Sequence, residues 1–302
     1  MTETRTAVML MSYGTPRSRA EILPYYTDIR RGNPPTEQQL ADLTARYDAI
    51  GGISPLAERT GAQRTAVQAA LDELEADRYH VALGTKHAQP SIEGSVDDLA
   101  SRGFRRVVGL VLAPHYSAFS VGQYLDRLST AAASHDMAVA GIRSWATEPA
   151  FVDFIAAEIR SKLSTMPAGT RVVFTSHSLP ARILAAGDPY PSEIEATARC
   201  VAAATGLDNW GLAWQSAGRT PEPWLEPDIL KVIDELGTDG HTTGLLVSAV
   251  GFVADHLEVL YDLDIEAACR ASAHDLPFAR TACVNDDPSV MAALAGLVAN
   301  AT

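Results

Sequence analysis

The apolar run Gly244-Leu245-Leu246-Val247-Ser248-Ala249-Val250 leads directly into Gly251-Phe252-Val253-Ala254-Asp255-His256-Leu257-Glu258. A short apolar run without regular polar alternation predicts a strand that is buried on both faces, as strands of parallel sheets are. The residues from Glu258 to Glu266 have a helical pattern. A buried strand followed by a helix is the repeating unit of α/β folds, which place their ligands at the carboxyl ends of the strands.

Three carboxylates recur at every fourth position of this predicted helix, at Glu258, Asp262 and Glu266. This spacing places them on one helical face. Like charges stacked in this way repel one another unless water or a cation neutralises them, and His256 adds a nitrogen ligand at the start of the row. The pattern predicts a path for a divalent metal, and the alternative is an ordinary solvated acidic face.

The chain of 302 residues is long enough for two domains of ordinary size or one large one, and a hydrophobic content of 47% supplies a core. The formal net charge of −13 argues against nucleic acid as a partner, because nucleic-acid binding requires a basic surface. It also argues against docking by charge on an anionic membrane, and it is compatible with a protein that handles cations.

The three cysteines, Cys200, Cys269 and Cys283, are widely spaced and form no C-x-x-C pair. We therefore expect neither a disulfide framework nor a zinc knuckle, and a reducing, cytoplasmic compartment fits. Residues Met1–Arg5 lead straight into a predicted strand without an apolar leader, so no signal peptide is expected. The apolar stretches are too short to span a bilayer, so we expect no stable membrane insertion.

Strand-like and helix-like segments alternate along the chain, which predicts an α/β protein with parallel sheets and helices on both faces. The predicted strands lie at 7–11, 81–84, 107–112, 138–142, 172–174, 210–214 and 245–248. The predicted helices lie at 61–76, 121–134, 150–163, 192–204 and 227–236.

Two strand ends look alike, Ser12-Tyr13-Gly14-Thr15-Pro16 and Ser176-His177-Ser178-Leu179-Pro180, and indicate an internal repeat. We predict two similar halves, residues 1–145 and 146–302, whose equivalent strand ends face one cleft. The hinge is expected near Ser144–Pro149. The last helix, Pro288–Ala301, is expected to pack back on the first half.

Familiar phosphate-binding and hydrolase motifs are missing from the sequence. No G-x-G-x-x-G follows a strand, and neither G-x-x-x-x-G-K-[ST] nor G-x-S-x-G occurs. The usual dinucleotide-binding and NTP-binding folds and the α/β-hydrolases are therefore disfavoured.

His177 and Tyr13 occupy the matching strand ends of the two predicted halves. An imidazole can accept a proton or bind a metal near neutral pH without large tuning, and Glu258 could be its partner across the cleft. The alternatives are a hydrogen-bonded structural histidine and a tyrosine that caps the core with its hydroxyl in water.

A second group of candidates is basic and hydroxylic: Arg30, Arg31, Arg46, Tyr47 and Ser54. In a chain this acidic, local arginines suggest a docking point for carboxylates, because guanidinium groups bind them in a bidentate manner. The alternative is that Arg30 or Arg31 merely pairs with Asp28 or Asp42.

Several motifs spread over the chain from Val8 to Leu297 resemble those of the ferrochelatase family. They are Tyr13–Pro16, Tyr25–Gly32 (YYTDIRRG), Arg46–Leu56 (RYDAIGGISPL), Pro114–Ser117, Ser176–Pro180, Gly187–Tyr190, Trp214–Ser216 and Gly251–Tyr261 (GFVADHLEVLY). The sequence is most similar to the short coproporphyrin ferrochelatases of Gram-positive bacteria. The resemblance implies two Rossmann-like, chelatase-type halves, each a parallel four-stranded sheet flanked by helices, around a porphyrin cleft.

The resemblance also implies an activity, the insertion of Fe²⁺ into a porphyrin with loss of two pyrrole protons, in haem biosynthesis. By it, His177 lies at the porphyrin centre with Glu258 as its partner, and Tyr13 faces the other side of the ring. His177, Glu258, Asp262 and Glu266 are expected to contact the metal. The expected substrate-binding residues are Arg30, Arg46, Ser54, Tyr124, Lys86 and His87.

Departures from the family refine this expectation. Three cysteines cannot supply the four ligands of a [2Fe–2S] cluster, so we expect no cluster and no permanently bound cofactor, with Fe²⁺ as a substrate. The apolar lip of membrane-associated relatives is not obvious, which favours a soluble monomer and a polar porphyrin. The arginine-rich rim suits the four propionates of coproporphyrin III better than the two of protoporphyrin IX.

Three alternatives remain open at this point. The chain could act on protoporphyrin IX or insert another divalent metal. It could be a non-catalytic tetrapyrrole-binding protein, although such a protein would be expected to lose His177 or Glu258. A two-lobed periplasmic metal-binding protein would require a signal peptide.

Overall fold

Two parallel four-stranded sheets form the framework of the computed structural model, which describes residues 5–218 and 220–302. In each sheet, with the strands counted in chain order, the neighbours lie in the order second, first, third and fourth. The two sheets therefore have the same strand order. The predicted fold class, two similar halves with one parallel sheet each, is confirmed.

The first sheet is built from β1 Thr6–Ser12, β2 Tyr79–Thr85, β3 Arg106–Val111 and β4 Ala138–Ile142. Its connections contain a short 3₁₀ turn, Arg19–Glu21, and the helices α1 Ile22–Ile29, α2 Glu37–Ala49, α3 Leu56–Leu74, α4 Ile92–Ser101 and α5 Val121–Ala133.

The second sheet is built from β5 Arg171–His177, β6 Trp210–Gln215, β7 Leu245–Ser248 and β8 Phe278–Arg280. The helices α6 Pro149–Leu163, α7 Arg182–Ala185, α8 Tyr190–Thr205 and α9 Ile229–Thr238 come before β7 in sequence. A π-helix, Val259–Ala267, continues into α10 Ala268–Ala273, and α11 Pro288–Asn300 ends the chain.

Burial explains why the strands were easy to find from the sequence. All seven residues of β1 and all four of β7 are buried, as expected for strands covered by helices on both faces. The strand β8 was not predicted, because its three residues are only half-buried. The helices α1, α2 and α4 were not predicted either, and the first two lie between glycine- and proline-rich loops.

The last helix joins the two halves. It packs against α3 of the first half and α6 near the start of the second, and Val290, Leu294 and Val298 are fully buried in the core between them. The halves therefore share one hydrophobic core. No helix in the described residues is both long enough and apolar enough to cross a bilayer.

Candidate active site

A cleft of about 720 Å³ opens between the two halves, at the carboxyl ends of both sheets. Residues after β1 and β3 line one side, and residues after β5 and β7 line the other. Tyr25, Tyr26, Trp224 and Phe252 give it broad apolar faces. This volume and lining suit a ligand of drug-like size with extensive flat apolar surface.

The cleft brings together most of the residues singled out in the sequence. Its lining includes Tyr13, Arg30, Arg46, Ser54, Lys86, Tyr124, His177 and Glu258. Three predicted site residues, His87, Asp262 and Glu266, are not part of this lining and contact lining residues instead.

His177 is the last residue of β5, and its ring is oriented by its own backbone neighbour. Its Nδ1 donates to the Ser178 carbonyl oxygen at 2.5 Å, which leaves Nε2 directed at Glu258, 3.6 Å from Oε1. The chain after β7 approaches this strand end closely at Gly251, where an added Cβ would lie 1.9 Å from Ser176 Oγ. Only glycine permits this approach, which brings the Glu258 segment next to His177.

Glu258 lies between two imidazoles. His256 Nε2 is 3.6 Å from Glu258 Oε2, and His256 Nδ1 donates to the Ala254 carbonyl oxygen at 3.0 Å. Each of the two rings is therefore oriented by a hydrogen bond from Nδ1 to a nearby backbone carbonyl oxygen. In the sequence, His256 was noted only as a nitrogen at the start of the acidic row. The structure makes it the second neighbour of the Glu258 carboxylate.

The electrostatics of this group are coupled. Burial alone would raise the pKa of Glu258, but the neighbouring His177 and His256 imidazoles hold it well below its usual range. Burial alone would lower the pKa of His177, but the Glu258 carboxylate outweighs it and the net pKa is raised. Both shifts favour the charged forms, an imidazolium next to a carboxylate, at the wall of the cleft.

Tyr13 lies on the opposite wall and is supported by His87. The two ring centroids are 4.6 Å apart, and His87 Nδ1 is 2.7 Å from Asp28 Oδ2. Burial, together with the charges of Glu258 and Asp28, raises the pKa of the Tyr13 phenol, so it is neutral at pH 7. His87 was predicted to bind substrate, and in the structure its contacts are with Tyr13 and Asp28.

Polar groups from the first half line the remainder of the cleft. Lys86 Nζ donates to Gln123 Oε1 at 2.6 Å and lies 5.4 Å from the Tyr124 ring centroid. Burial lowers the pKa of Lys86. Arg30 stacks on Tyr26 at 5.7 Å. Ser54 Oγ accepts from the Leu56 backbone N–H at 3.2 Å, at the start of α3, and its own hydroxyl hydrogen is still available to a ligand.

Arg46 crosses from α2 to the acidic row. A capping box between Thr36 and Gln39 starts α2, and Arg46 lies in its last turn. The Arg46 guanidinium lies 3.4 Å from Asp262 Oδ1, 3.7 Å from Glu266 Oε1 and 4.7 Å from the Tyr261 ring centroid.

The acidic row therefore divides into two environments. Glu258 contacts imidazoles, whereas Asp262 and Glu266 contact Arg46, and Asp262 Oδ2 also accepts from Ser216 Oγ at 2.5 Å. The segment is helical, as the sequence pattern predicted, and its helix is a π-helix; π-helical turns are frequent at functional sites. Within residues 5–218 and 220–302, no three histidine, cysteine, aspartate or glutamate side chains form a group that could hold a metal ion.

Two residues that support the site were missed in the sequence. Gln63, buried on α3, donates from Nε2 to the Asn285 carbonyl oxygen at 2.8 Å and lines the cleft. Asn285, after β8, binds the segment that precedes Glu258. Neither residue belongs to a motif with a chemical meaning of its own, so only the three-dimensional contacts identify them.

Comparisons with known proteins concern the chain as a whole. The ferrochelatase family model matches residues 5–302. A coproporphyrin III ferrochelatase of Geobacillus kaustophilus is 40% identical over 99% of this chain and 96% of its own length. A ferrochelatase of Herpetosiphon aurantiacus is 41% identical over 94% of this chain and 95% of its own length.

Solved structures show the same fold at low sequence identity. SirB from Bacillus subtilis, determined with Fe³⁺, superposes with a TM-score of 0.63 at 10% identity, over 99% of this chain and 96% of the other. The family match covers nearly the whole chain, and the relatives are similar over nearly their whole length. The chain belongs to the ferrochelatase family.

Proposed function

We propose that this protein inserts Fe²⁺ into coproporphyrin III to give coprohaem, as a step of haem biosynthesis. The observation that carries the proposal is the His177–Glu258 pair, which faces Tyr13 across a cleft with flat aromatic walls. Curated relatives about as similar as the Geobacillus protein have the same name, and they support the choice of coproporphyrin.

The reaction breaks two pyrrole N–H bonds, forms the iron–nitrogen bonds and releases two protons. In the resting pair the single proton is on His177, because its pKa is raised and that of Glu258 is lowered. An approaching Fe²⁺ repels the imidazolium and favours loss of this proton to solvent. The neutral His177 and the Glu258 carboxylate can then accept the two pyrrole protons, so positive charge does not accumulate in the cleft.

The acidic row supplies a route for the metal substrate. Hydrated Fe²⁺ must exchange water for protein ligands stepwise, and carboxylate and imidazole groups suit this exchange. We propose that Glu266 and Asp262 meet the hydrated ion first and that Glu258 and His177 receive it next. Arg46 offsets part of the negative charge of the first two carboxylates until the ion arrives.

The first half supplies the rim. Arg30, Arg46, Lys86, Ser54 and Tyr124 line the cleft, and we propose that they bind propionates by charge-assisted hydrogen bonds. His87 would act by supporting Tyr13. We propose a monomeric state from the family resemblance. We propose a cytoplasmic location and the lack of an iron–sulfur cluster from the number and spacing of the cysteines.

Anaerobic metal insertion by the purified protein tests the proposal, with absorbance recorded for coproporphyrin III and protoporphyrin IX in parallel. We expect iron insertion with a clear preference for coproporphyrin III. A preference for protoporphyrin IX would retain the chelatase and refute the role of the rim. Porphyrin binding without insertion of Fe²⁺ or another divalent ion would refute catalysis.

A further inference from the structure

The segment that precedes the Glu258 carboxylate has no regular secondary structure of its own. Residues 252–256, between β7 and the helical residues that start at Leu257, form neither helix nor strand. Their backbone groups therefore lack the hydrogen bonds that would hold a helix or strand in place. Because His256 and Glu258 follow directly, any shift of this segment moves the carboxylate relative to His177.

Asn285 supplies the missing hydrogen bonds. Its backbone N–H donates to the Val253 carbonyl oxygen at 2.8 Å. Its side-chain Oδ1 accepts from the Asp255 backbone N–H at 3.0 Å, and its Nδ2 donates to Asp255 Oδ2 at 2.9 Å. Asn285 thus binds the segment at Val253 and at Asp255, and both the oxygen and the nitrogen of its side-chain amide form hydrogen bonds with Asp255.

The backbone conformation of Asn285 is unusual and specific. Its φ is 46°, in the left-handed region that asparagine and glycine tolerate best. This conformation lets the backbone N–H and the side-chain amide form hydrogen bonds with the same segment. A residue held there by several hydrogen bonds indicates a defined structural task.

The contacts extend from Asn285 in two directions. Asp255 Oδ1 accepts from Arg280 Nη2 at 3.1 Å, and Arg280 also binds Asp264 on the π-helix, with Nε to Oδ1 at 2.6 Å and Nη2 to Oδ2 at 2.9 Å. In the other direction, the Asn285 carbonyl oxygen accepts from Gln63 Nε2 of the first half. The segment is thus tied both to the helix that carries the acidic row and to the opposite half.

We infer that Asn285 is a positioning residue for metal insertion, which fixes residues Val253–Glu258 so that the Glu258 carboxylate faces His177 and the cleft. This inference rests on the proposed function, because it assigns Asn285 a task in the reaction that Glu258 performs. Asn285 itself is not part of the cleft lining. Its effect is therefore expected on the rate of insertion and not on porphyrin binding.

The substitution N285G tests the inference with little backbone strain. Glycine adopts a positive φ readily and keeps the N–H that binds Val253, so only the two side-chain hydrogen bonds to Asp255 are lost. We expect kcat for Fe²⁺ insertion to fall about 10- to 100-fold, as for other supporting residues of catalytic groups, while the KM for coproporphyrin III changes less than about 3-fold.

A reciprocal exchange provides the matched control. N285D places a carboxylate at position 285 next to that of Asp255, and the two repel each other. It should therefore lower kcat at least as far as N285G does. In the double variant D255N/N285D, a carboxylate accepts from the backbone N–H and the side-chain amide at position 255, and that amide oxygen accepts from Arg280. Every hydrogen bond is restored, so kcat should recover to within about 3-fold of the unmodified protein.

Three results would overturn the inference: an unchanged kcat in N285G, an equal loss of porphyrin binding and of kcat, or a double variant no faster than N285D. Melting temperatures identify variants that simply fail to fold, and the isosteric double variant keeps the test decisive if N285G is one of them. If the unmodified protein inserts no metal, the proposed function fails; if it inserts metal and N285G equals it, only the role of Asn285 fails.

Discussion

The two halves have one sheet order, yet their matching strand ends carry different side chains. After β1 the first half presents Tyr13, whereas the second half presents His177 at the end of β5. After β2 come Lys86 and His87, and at the end of β6 comes Gln215, a buried neutral amide. The repeated fold places these positions around one cleft, and the side chains differ on its two walls.

The distribution of charge follows the same division. Among the described residues, the arginine and lysine side chains that line the cleft, Arg30, Arg46 and Lys86, all come from the first half. Glu258 and its two imidazole neighbours come from the second. Under the proposed function, the groups that bind the carboxylates of the porphyrin lie mainly on one half, and the groups that exchange protons and metal lie on the other.

The largest expected effect comes from replacing His177, on the wall of the cleft that we propose exchanges protons with the porphyrin. H177A should lower kcat for iron insertion about 10²- to 10⁴-fold, because it removes a proton acceptor and the partner of Glu258. Coproporphyrin binding, measured by fluorescence quenching, should remain within about 3-fold, since the rim is intact.

The companion variant on the opposite wall is Y13F, which keeps the ring and removes only a neutral hydroxyl. We expect kcat to fall less than about 10-fold, because the His177–Glu258 pair that accepts the protons is intact. If Y13F were as inactive as H177A, the assignment of proton exchange to the second half would be wrong.

The next largest effect is expected at Arg46, the residue that connects the two walls. Charge-assisted hydrogen bonds contribute about 1.5–3 kcal/mol, so R46A should raise the KM for coproporphyrin III about 10- to 100-fold. R199A is the matched control, because Arg199 pairs with Glu195 on the exposed face of α8. A change in the KM for Fe²⁺ alone would assign Arg46 to the acidic row instead of the rim.

The sequence predicts the framework of this site well, for a physical reason. Buried parallel strands leave an apolar run that is readable in one dimension, and ligand groups gather where such runs end. His177 and Tyr13 were found in this way. The three-residue strand β8 and the helices α1 and α2 lack such a signal, because few of their residues are buried: one in each helix and none in β8.

The supporting contacts of the site could not be predicted from the sequence. Gln63 and Asn285 are 222 positions apart and meet only because α3 and the loop after β8 pack together. The spacing of Glu258, Asp262 and Glu266 fits one helical face, but it does not distinguish an α-helix from the π-helix observed. Nor does it show that Arg46, from α2, pairs with two of the three carboxylates.

The smallest expected effect concerns Asp262, a buried carboxylate of the second half. Burial raises the pKa of Asp262 from 3.8 to about 6, against the opposing effects of Ser216 and Arg46. The folded protein therefore binds this proton more tightly than the unfolded chain does. The resulting stabilisation is complete below the unfolded pKa and is lost as the pH rises through about 6.

Asp262 should thus lower the free energy of unfolding by about 1 kcal/mol between pH 5 and pH 7.5. D262N keeps an acceptor for Ser216 and removes the titration, so its unfolding curves in urea should lack this decrease. E73Q is the control, because Glu73 is an exposed carboxylate on α3 of the first half. If D262N kept the pH dependence, Arg46 alone would compensate the charge of Asp262. The charges of the two halves would then have similar effects on the free energy of unfolding.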